Sequence, residues 1–110
     1  MNGKNVLIKD DCVGEKGELG AMLMLGILKT LKECNNKPEN IFLLNKGVML
    51  STQNTDAIEE LKELQSIGVK IFSCGTCLDF FSLRNSLQVG EVGNAKDILN
   101  ALLSDDSITF

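Results

Sequence analysis

The sequence contains no histidine, only one proline and no excess of basic residues. The missing imidazole disfavours a cysteine hydrolase or an ordinary acyl transferase, because a cysteine nucleophile in such enzymes usually needs an imidazole base. Exchange of sulfur between thiols requires only a thiolate, so this chemistry stays open. The net charge of −4 gives no electrostatic reason to expect nucleic acid or an anionic membrane as a partner.

Long apolar runs are also missing, and no stretch of the 110 residues is long enough to span a bilayer. The amino terminus has no long apolar region followed by a small-residue cleavage site, so we expect a cytoplasmic protein. In a reducing compartment the four cysteines are free thiols, metal ligands or a redox pair rather than a disulfide frame. The length predicts one domain, residues 1–110, that buries roughly two thirds of the surface of the unfolded chain.

Segments of strand character and helix character alternate along the chain. Apolar runs and their flanking turn residues predict strands at residues 6–8, 40–44, 69–73 and 108–110. Helical periodicity predicts helices at residues 17–34, 56–68, 78–87 and 94–103. The glycine-rich segment 89–93 stays unassigned. The alternation predicts an α/β fold, a three-layer α/β/α sandwich around a mostly parallel sheet of about five strands.

Residues at the ends of two predicted helices have the character of caps. Asp56 with Glu59 is spaced as an amino-terminal cap, and Gly68 is placed as the carboxyl-terminal cap of the same helix. Asn94 with Asp97 is spaced as the cap of the last helix. These positions set the expected boundaries of both helices.

The first predicted helix is apolar on two sides. Its two stripes are Leu23, Ile27 and Leu31, and Ala21, Leu25 and Leu28. One stripe can cover the sheet, whereas the other would be exposed on so small a monomer. An exposed apolar patch of this size favours a subunit interface over cover by another part of the chain, so we expect a homo-oligomer.

The motif Cys74-Gly75-Thr76-Cys77 directly follows the strand predicted at residues 69–73. Reactive groups in open parallel sheets gather beyond the carboxyl ends of the strands, and a helix amino terminus there lowers the pKa of a cysteine. The spacing also lets one sulfur attack a sulfur held on the other. We therefore interpret Cys74 and Cys77 as a redox or sulfur-transfer pair rather than as two small apolar side chains that fill space.

A zinc centre is the competing interpretation of the cysteines. Zinc needs four ligands, and the chain offers one CxxC pair and no histidine. Cys12 follows the first strand and can lie at the same edge of the sheet, but Cys34 ends the first helix and should lie towards the opposite edge. We predict no metal and no cofactor; the alternative is a site shared between subunits or completed by Asp10 or Asp11.

Four segments carry a resemblance to a known family: residues 73–79 (SCGTCLD), 17–20 (GELG), 45–48 (NKGV) and 89–92 (VGEV). They resemble the DsrE-like superfamily, most closely the carboxyl-terminal DsrE-like domain of YedF-type proteins linked to selenium and sulfur metabolism. The resemblance implies a flavodoxin-like α/β/α sandwich that assembles into trimers or hexamers. It also implies a sulfur or selenium carrier that holds sulfur as a cysteine persulfide and transfers it to partner proteins.

The resemblance also implies where the carrier lies. In relatives with transfer activity the reactive cysteine lies in the loop after a central strand, and Cys74 and Cys77 occupy that loop here. The expected partner is a sulfur donor or acceptor protein, either TusA-like or a cysteine desulfurase. The candidate binding residues are Cys12, Asn45, Gly47, Gly75 and Thr76. Of these, Asn45 and Gly47 follow the neighbouring strand and are expected to offer polar contacts to the same crevice.

Two other functions stay open. A thiol–disulfide oxidoreductase would use the same cysteine pair, and a non-catalytic oligomeric module would bind a small ligand or a partner protein. YedF-type proteins carry a TusA-like domain with a Cys-Pro-x-Pro motif ahead of this one, and the only proline here is Pro38. We therefore expect a stand-alone version or a fragment, and the sequence leaves open which cysteine is the carrier.

Overall fold

A computed structural model describes residues 4–110, in which five strands form one parallel sheet. The strands are β1 (Asn5–Ile8), β2 (Asn40–Leu43), β3 (Lys70–Cys74), β4 (Glu91–Gly93) and β5 (Ser107–Thr109). Their order is β4-β3-β2-β1-β5, and every neighbouring pair is parallel. The predicted α/β class and five-stranded sheet are confirmed. The prediction that the amino terminus carries no targeting segment also concerns residues 1–3, which lie outside the described residues.

Five helices connect these strands. They are α1 (Glu18–Leu31), α2 (Met49–Thr52), α3 (Thr55–Ser66), α4 (Gly75–Phe80) and α5 (Ala95–Ser104), with 3₁₀ turns at Asn45–Val48 and Arg84–Ser86. Within residues 4–110, none of the helices has the length and apolar character needed to cross a membrane. The sequence pattern did not indicate α2 or either 3₁₀ turn, because these elements are only three or four residues long and show no full period.

Two predicted helix ranges are wrong. The first helix ends at Leu31 rather than at residue 34. Beyond Leu31 the amides of Glu33 and Cys34 donate to carbonyls three residues earlier, which is the hydrogen-bonding pattern of a turn and not of an α-helix. The helix predicted at residues 78–87 begins at Gly75 and ends at Phe80. It stops there because Ser82 adopts a φ of +57°, which a helix cannot continue.

One face of the sheet packs against α1 and α3. In β1, β2 and β3, Val6 lies beside Ile41 and Ile41 beside Ile71, in parallel register. These three side chains share a buried core with residues of the two helices: Met24, Leu28, Leu61 and Leu64. The packing of four apolar side chains from the helices onto this row is what fixes the helices on the sheet.

The buried stripe of α1 shares only Leu28 with the two predicted stripes. It consists of Gly20, Met24 and Leu28, spaced four residues apart, whereas Leu23 is 45% exposed. Gly20 belongs to this stripe because a side chain there would collide with the backbone carbonyls of Val13 and Glu15. Sequence periodicity missed Gly20 because a glycine contributes no apolar signal, and it missed Met24 because this residue lies between the two predicted stripes on the helix.

The opposite face of the sheet packs against α5. Asn5 in β1 donates a side-chain hydrogen bond to the carbonyl of Ala101 in α5 at 3.0 Å. One turn earlier in the helix, Ile98 lies against Gly93 of β4, which in turn lies against Phe72 of β3. The connections from β1 to β4 step across the sheet in one direction, and the connection from β4 to β5 returns across it. Because such connections are right-handed, the returning one places α5 on this side of the sheet.

The helix caps agree with the sequence in part. Asn94 accepts the amide of Asp97 at 2.9 Å, which confirms the predicted cap of the last helix. The cap predicted at Asp56 and Glu59 is wrong. The side chain of Asn54 accepts a hydrogen bond from the amide of Ala57 at 3.1 Å, and α3 begins at the residue after Asn54. A short Asn side chain just before the helix reaches forward to that amide more readily than a residue already inside the first turn.

Gly90 immediately precedes β4, and we expect its replacement by alanine to be strongly destabilising. Its φ is +76°, and a Cβ there would collide with the backbone carbonyl of Ile71. Gly14 has a similar φ of +75° but open space around it, so it is a matched control. In urea unfolding, Gly14→Ala should lower the free energy of unfolding by about 1 kcal/mol and Gly90→Ala by at least about 2 kcal/mol. Equal losses would contradict the close approach.

Candidate functional site

The two thiols of the CxxC motif lie at the junction of β3 and α4. Cys74 ends β3 and is the residue from which α4 begins, and Cys77 lies in the first turn of that helix. Positions three residues apart on a helix are neighbours, so the two side chains are on the same side of it. Both cysteines are reduced and half-buried. The chain therefore brings both predicted thiols to the carboxyl edge of the sheet.

The backbone of Asn45 contacts the second thiol. Asn45 follows the end of β2, and its amide N–H donates to the Sγ of Cys77 at 3.0 Å. The φ of Asn45 is +52°, a left-handed conformation that asparagine tolerates better than most residues. The contact is therefore made by the backbone in an unusual conformation, whereas sequence reasoning had expected a polar contact without specifying which atom makes it.

The other residue named beside Asn45 has a packing role. Gly47 is buried in the 3₁₀ turn, where a side chain would collide with the backbone carbonyl of Ile8 at the end of β1. Its lack of a side chain lets this turn approach β1. By holding the turn in place, Gly47 acts on the thiols only through the position of Asn45.

Partial burial raises the pKa of the Cys77 thiol. The hydrogen bond from Asn45 acts in the opposite direction, while the neighbouring Cys74 thiol raises the pKa of Cys77 further. The expectation that the helix amino terminus lowers the pKa of this cysteine is therefore wrong for Cys77. Desolvation of the sulfur is the largest of these effects, and it exceeds the opposing effect of the hydrogen bond from Asn45. The raised pKa lowers the fraction of Cys77 that is thiolate at neutral pH.

Cys74 lines a cavity of about 430 Å³ at the edge of the sheet. The other lining residues are Gly75, Thr76, Asp79, Arg84, Val92, Gly93, Asn94 and Ala95. Two of the predicted binding residues, Gly75 and Thr76, therefore share this cavity with Cys74. Gly75 cannot carry a side chain without crowding Arg84 and Val92, so the glycine in the motif leaves room for the guanidinium.

An ion pair forms part of the cavity wall. Arg84 donates from Nε to Oδ1 of Asp79 at 2.7 Å and from Nη2 to Oδ2 at 3.0 Å. These hydrogen bonds hold the pKa of Asp79 below its ordinary value. Sequence reasoning did not single out either residue as functional. The only available signal was the position of Asp79 directly after the motif, and nothing in the spacing showed that Arg84 returns to it.

Buried hydroxyl groups fix the end of β3 just before the thiols. Ser73 and Ser51 of α2 form a hydrogen bond of 2.7 Å between their Oγ atoms, and Ser51 also donates to the carbonyl of Val48 at 3.0 Å. Both serines are fully buried. A buried hydrogen bond of this kind costs stability when one partner is removed, so the pair ties α2 to the strand that carries Cys74.

The remaining two cysteines lie elsewhere. Cys12 is buried and lines a different cavity, which also contains Lys16 and Asn54. Burial raises the pKa of Cys12, and the nearby carboxylate of Asp10 adds to the rise. Cys34 follows the carboxyl end of α1, where its Sγ contacts the carbonyl of Thr30 at 3.5 Å. The candidate residue Cys12 therefore belongs to a separate environment from Cys74 and Cys77.

Asp10, Asp11 and Cys12, the residues that would complete a zinc site with the CxxC pair, form a cluster of their own. Their ligand atoms lie within 4.8 Å of one another. However, the Nζ of Lys16 contacts one oxygen of Asp10 at 3.1 Å and one of Asp11 at 2.9 Å. The hydrogen bonds to Asp11 and Asp10 raise the pKa of Lys16, so the ammonium group stays charged and compensates one of the two carboxylate charges. The arrangement is that of an internal ion pair.

Two solved structures share the fold. The ychN protein from E. coli matches with a TM-score of 0.73 and 20% identity over 100% of both chains. MTH1491, a protein of unknown function from Methanobacterium thermoautotrophicum, matches with a TM-score of 0.68 and 16% identity over 97% of this chain and 98% of that one. The chain therefore has the same α/β fold as these two proteins. No family model and no curated protein matches the sequence.

We predict that the pKa of Cys77 falls in Cys74→Ala but stays above that of an ordinary cysteine. The substitution removes the contribution of the Cys74 thiol, while the larger effect of burial is retained. The measurement is the rate of alkylation of Cys77 by iodoacetamide as a function of pH, with the peptide quantified by mass spectrometry. A Cys77 pKa below the ordinary value in this variant would contradict the dominance of burial.

Proposed function

We propose that the protein is a DsrE-like sulfur or selenium carrier of the YedF type that holds a terminal sulfur atom on Cys74 as a persulfide. The observation that carries the proposal is that Cys74 lines the cavity at the sheet edge while Cys77 lies one helical turn behind it, hydrogen-bonded to the backbone of Asn45. One thiol lines the cavity, where a partner can reach it, and the other is hydrogen-bonded to the turn after β2. The donor or acceptor is a TusA-like protein or a cysteine desulfurase in the cytoplasm.

Loading requires one nucleophilic step. The thiolate of Cys74 attacks the terminal sulfur of a donor persulfide, and a new bond forms between the two sulfur atoms. The sulfur–sulfur bond of the donor breaks, and its electron pair leaves on the donor thiolate. The oxidation states balance because the sulfur atom moves without an external oxidant.

Release can follow two routes. An acceptor thiolate attacks the terminal sulfur, and Cys74 leaves as a thiolate. Alternatively, the Cys77 thiolate attacks the Sγ of Cys74 and expels hydrosulfide, which leaves a Cys74–Cys77 disulfide that a cellular dithiol must reduce. The raised pKa of Cys77 keeps its thiolate fraction low, so it slows the second route and favours delivery to an acceptor.

The proposal predicts that Cys74 alone is needed for sulfur loading. The reduced protein is incubated with a cysteine desulfurase and cysteine, and the intact mass is measured before the added sulfur is mapped. Wild type and Cys77→Ala should gain one sulfur atom, and Cys74→Ala should gain none. Cys34→Ala is the matched control, because Cys34 is also half-buried but lies outside the site, and it should load as wild type does.

Two results would contradict the proposal. Loading of the double variant Cys74→Ala/Cys77→Ala would show that the motif is not the carrier. No loading of wild type, with Cys74 shown to be accessible to alkylation, would favour the other functions. Reduction of a model disulfide would then indicate the oxidoreductase, for which the CxxC spacing at a helix start is the supporting observation. Inert thiols would indicate the binding module.

We further propose that the protein is a homo-oligomer, a trimer or hexamer, that uses the outer side of α1. Leu19 is 68% exposed and Met22 is 62% exposed, and Leu23 lies beside them on the same helix. Exposed apolar side chains that cluster in this way are typical of an interface. The oligomer would bury them on a second copy of the chain.

A charge placed on this side of α1 should therefore reduce the size of the particle. Met22→Lys would introduce an unpaired ammonium group into the proposed interface, and we expect the mass measured by light scattering to fall towards that of the monomer. Lys62→Glu, on the exposed side of α3, is the control and should leave the mass unchanged. A monomeric wild-type protein would contradict the proposal directly.

A further inference from the structure

The cavity beside Cys74 contains a cationic group with unused hydrogen-bonding capacity. Its lining includes two charged residues, Asp79 and Arg84. Asp79 accepts from Nε and Nη2 of Arg84, and Nη2 also lies 3.4 Å from the carbonyl of Gly75. Within residues 4–110, Nη1 makes no such bond, so two of the five N–H groups of the guanidinium stay available.

We infer that this cavity binds a small thiol that carries a carboxylate, with the carboxylate at Arg84 and the sulfur at Cys74. The inference rests on the proposed function, in which the protein partner is then the donor, and it names the class of small molecule that accepts the sulfur. A guanidinium is well suited to a carboxylate because its planar donors match the two oxygens. Val92 and Ala95 supply apolar wall for the carbon chain, and Thr76 and Asn94 supply polar groups.

The size of the cavity favours a small molecule over the surface of a protein. Its volume of about 430 Å³ falls within the range of roughly 300 to 1,000 Å³ that is usual for small-molecule sites. The walls come from the start of α4, the start of α5 and the Arg84–Ser86 turn, so the site is concave on several sides. A thiol of a few carbon atoms can enter it with its carboxylate.

The chemical step is a transfer of one sulfur atom. The thiolate of the bound molecule attacks the terminal sulfur of the Cys74 persulfide and forms a new sulfur–sulfur bond. The bond from that sulfur to the Sγ of Cys74 breaks, and its electron pair returns to the Cys74 thiolate. The product is a small persulfide, and no oxidant or reductant takes part.

The ion pair offers two variants that separate charge from structure. Arg84→Gln and Asp79→Asn both break the pair between α4 and the Arg84–Ser86 turn, so a purely structural role predicts the same change in both. Recognition of an anion predicts opposite changes. Loss of Arg84 removes the positive charge, whereas loss of the Asp79 charge leaves it uncompensated.

The first experiment does not depend on sulfur transfer. Cys74 is alkylated in Cys77→Ala with iodoacetate, which is anionic, or with iodoacetamide, which is neutral and of similar size. The ratio of the two rates at Cys74 is measured by peptide mass spectrometry. Arg84→Gln should lower the ratio by about fivefold and Asp79→Asn should raise it, as expected for one partly exposed charge contact. Changes in the same direction, or none, would overturn the inference.

The second experiment uses the sulfur-loaded protein. Mercaptopropionate and mercaptoethanol are compared as acceptors, and each rate is divided by the rate of the same thiol with a small persulfide in solution. Wild type should prefer mercaptopropionate, and Arg84→Gln should lose that preference. Equal normalised rates in wild type would overturn the inference while leaving the carrier intact. Failure of wild type to load would instead contradict the proposed function, and the alkylation ratio would still test the anion site.

Discussion

Burial of one face of the sheet determines where the strands end, and the site depends on those ends. Val6, Ile41 and Ile71 lie in one row under α1 and α3, and a slip of one residue in any strand would turn its apolar side chains to the other face. This register places Leu43 beside Ser73. The segments that follow β2 and β3 therefore leave the sheet at the same level, so the amide of Asn45 can donate a hydrogen bond to the Sγ of Cys77.

The sequence predicts the parts of the fold that depend on the chain's own local pattern. The continuous apolar runs mark the three strands at the centre of the sheet, and the cysteine motif falls where β3 gives way to α4. The end of α4 was missed because it depends on the positive φ of Ser82, for which the sequence has no signal. The cap of α3 was missed because asparagine and aspartate are both typical cap residues, so the sequence does not show that Asn54 rather than Asp56 is the cap.

The candidate site could be predicted only in part, for a related reason. Position along the chain is sufficient to locate Cys74 and Cys77, because both follow a strand. Their electrostatics depend on contacts between segments that are distant in sequence, such as the amide of Asn45 at Cys77 and the return of Arg84 to Asp79. The helix dipole is a local effect and was anticipated. Desolvation depends on what packs around the sulfur, and it determines the direction in which the Cys77 pKa moves.

The two thiols of one motif have different neighbours. On one side, the turn after β2 supplies the hydrogen bond that holds Cys77. On the other side, β4 and the start of α5 supply Val92, Asn94 and other walls of the cavity that Cys74 lines. A change at the end of β2 therefore acts on Cys77, and a change at β4 acts on Cys74. The proposed carrier function uses this difference between the two environments. The thiol in the cavity would hold the sulfur atom, while the raised pKa of the other thiol keeps its thiolate fraction low and so slows the internal disulfide exchange that would expel the sulfur.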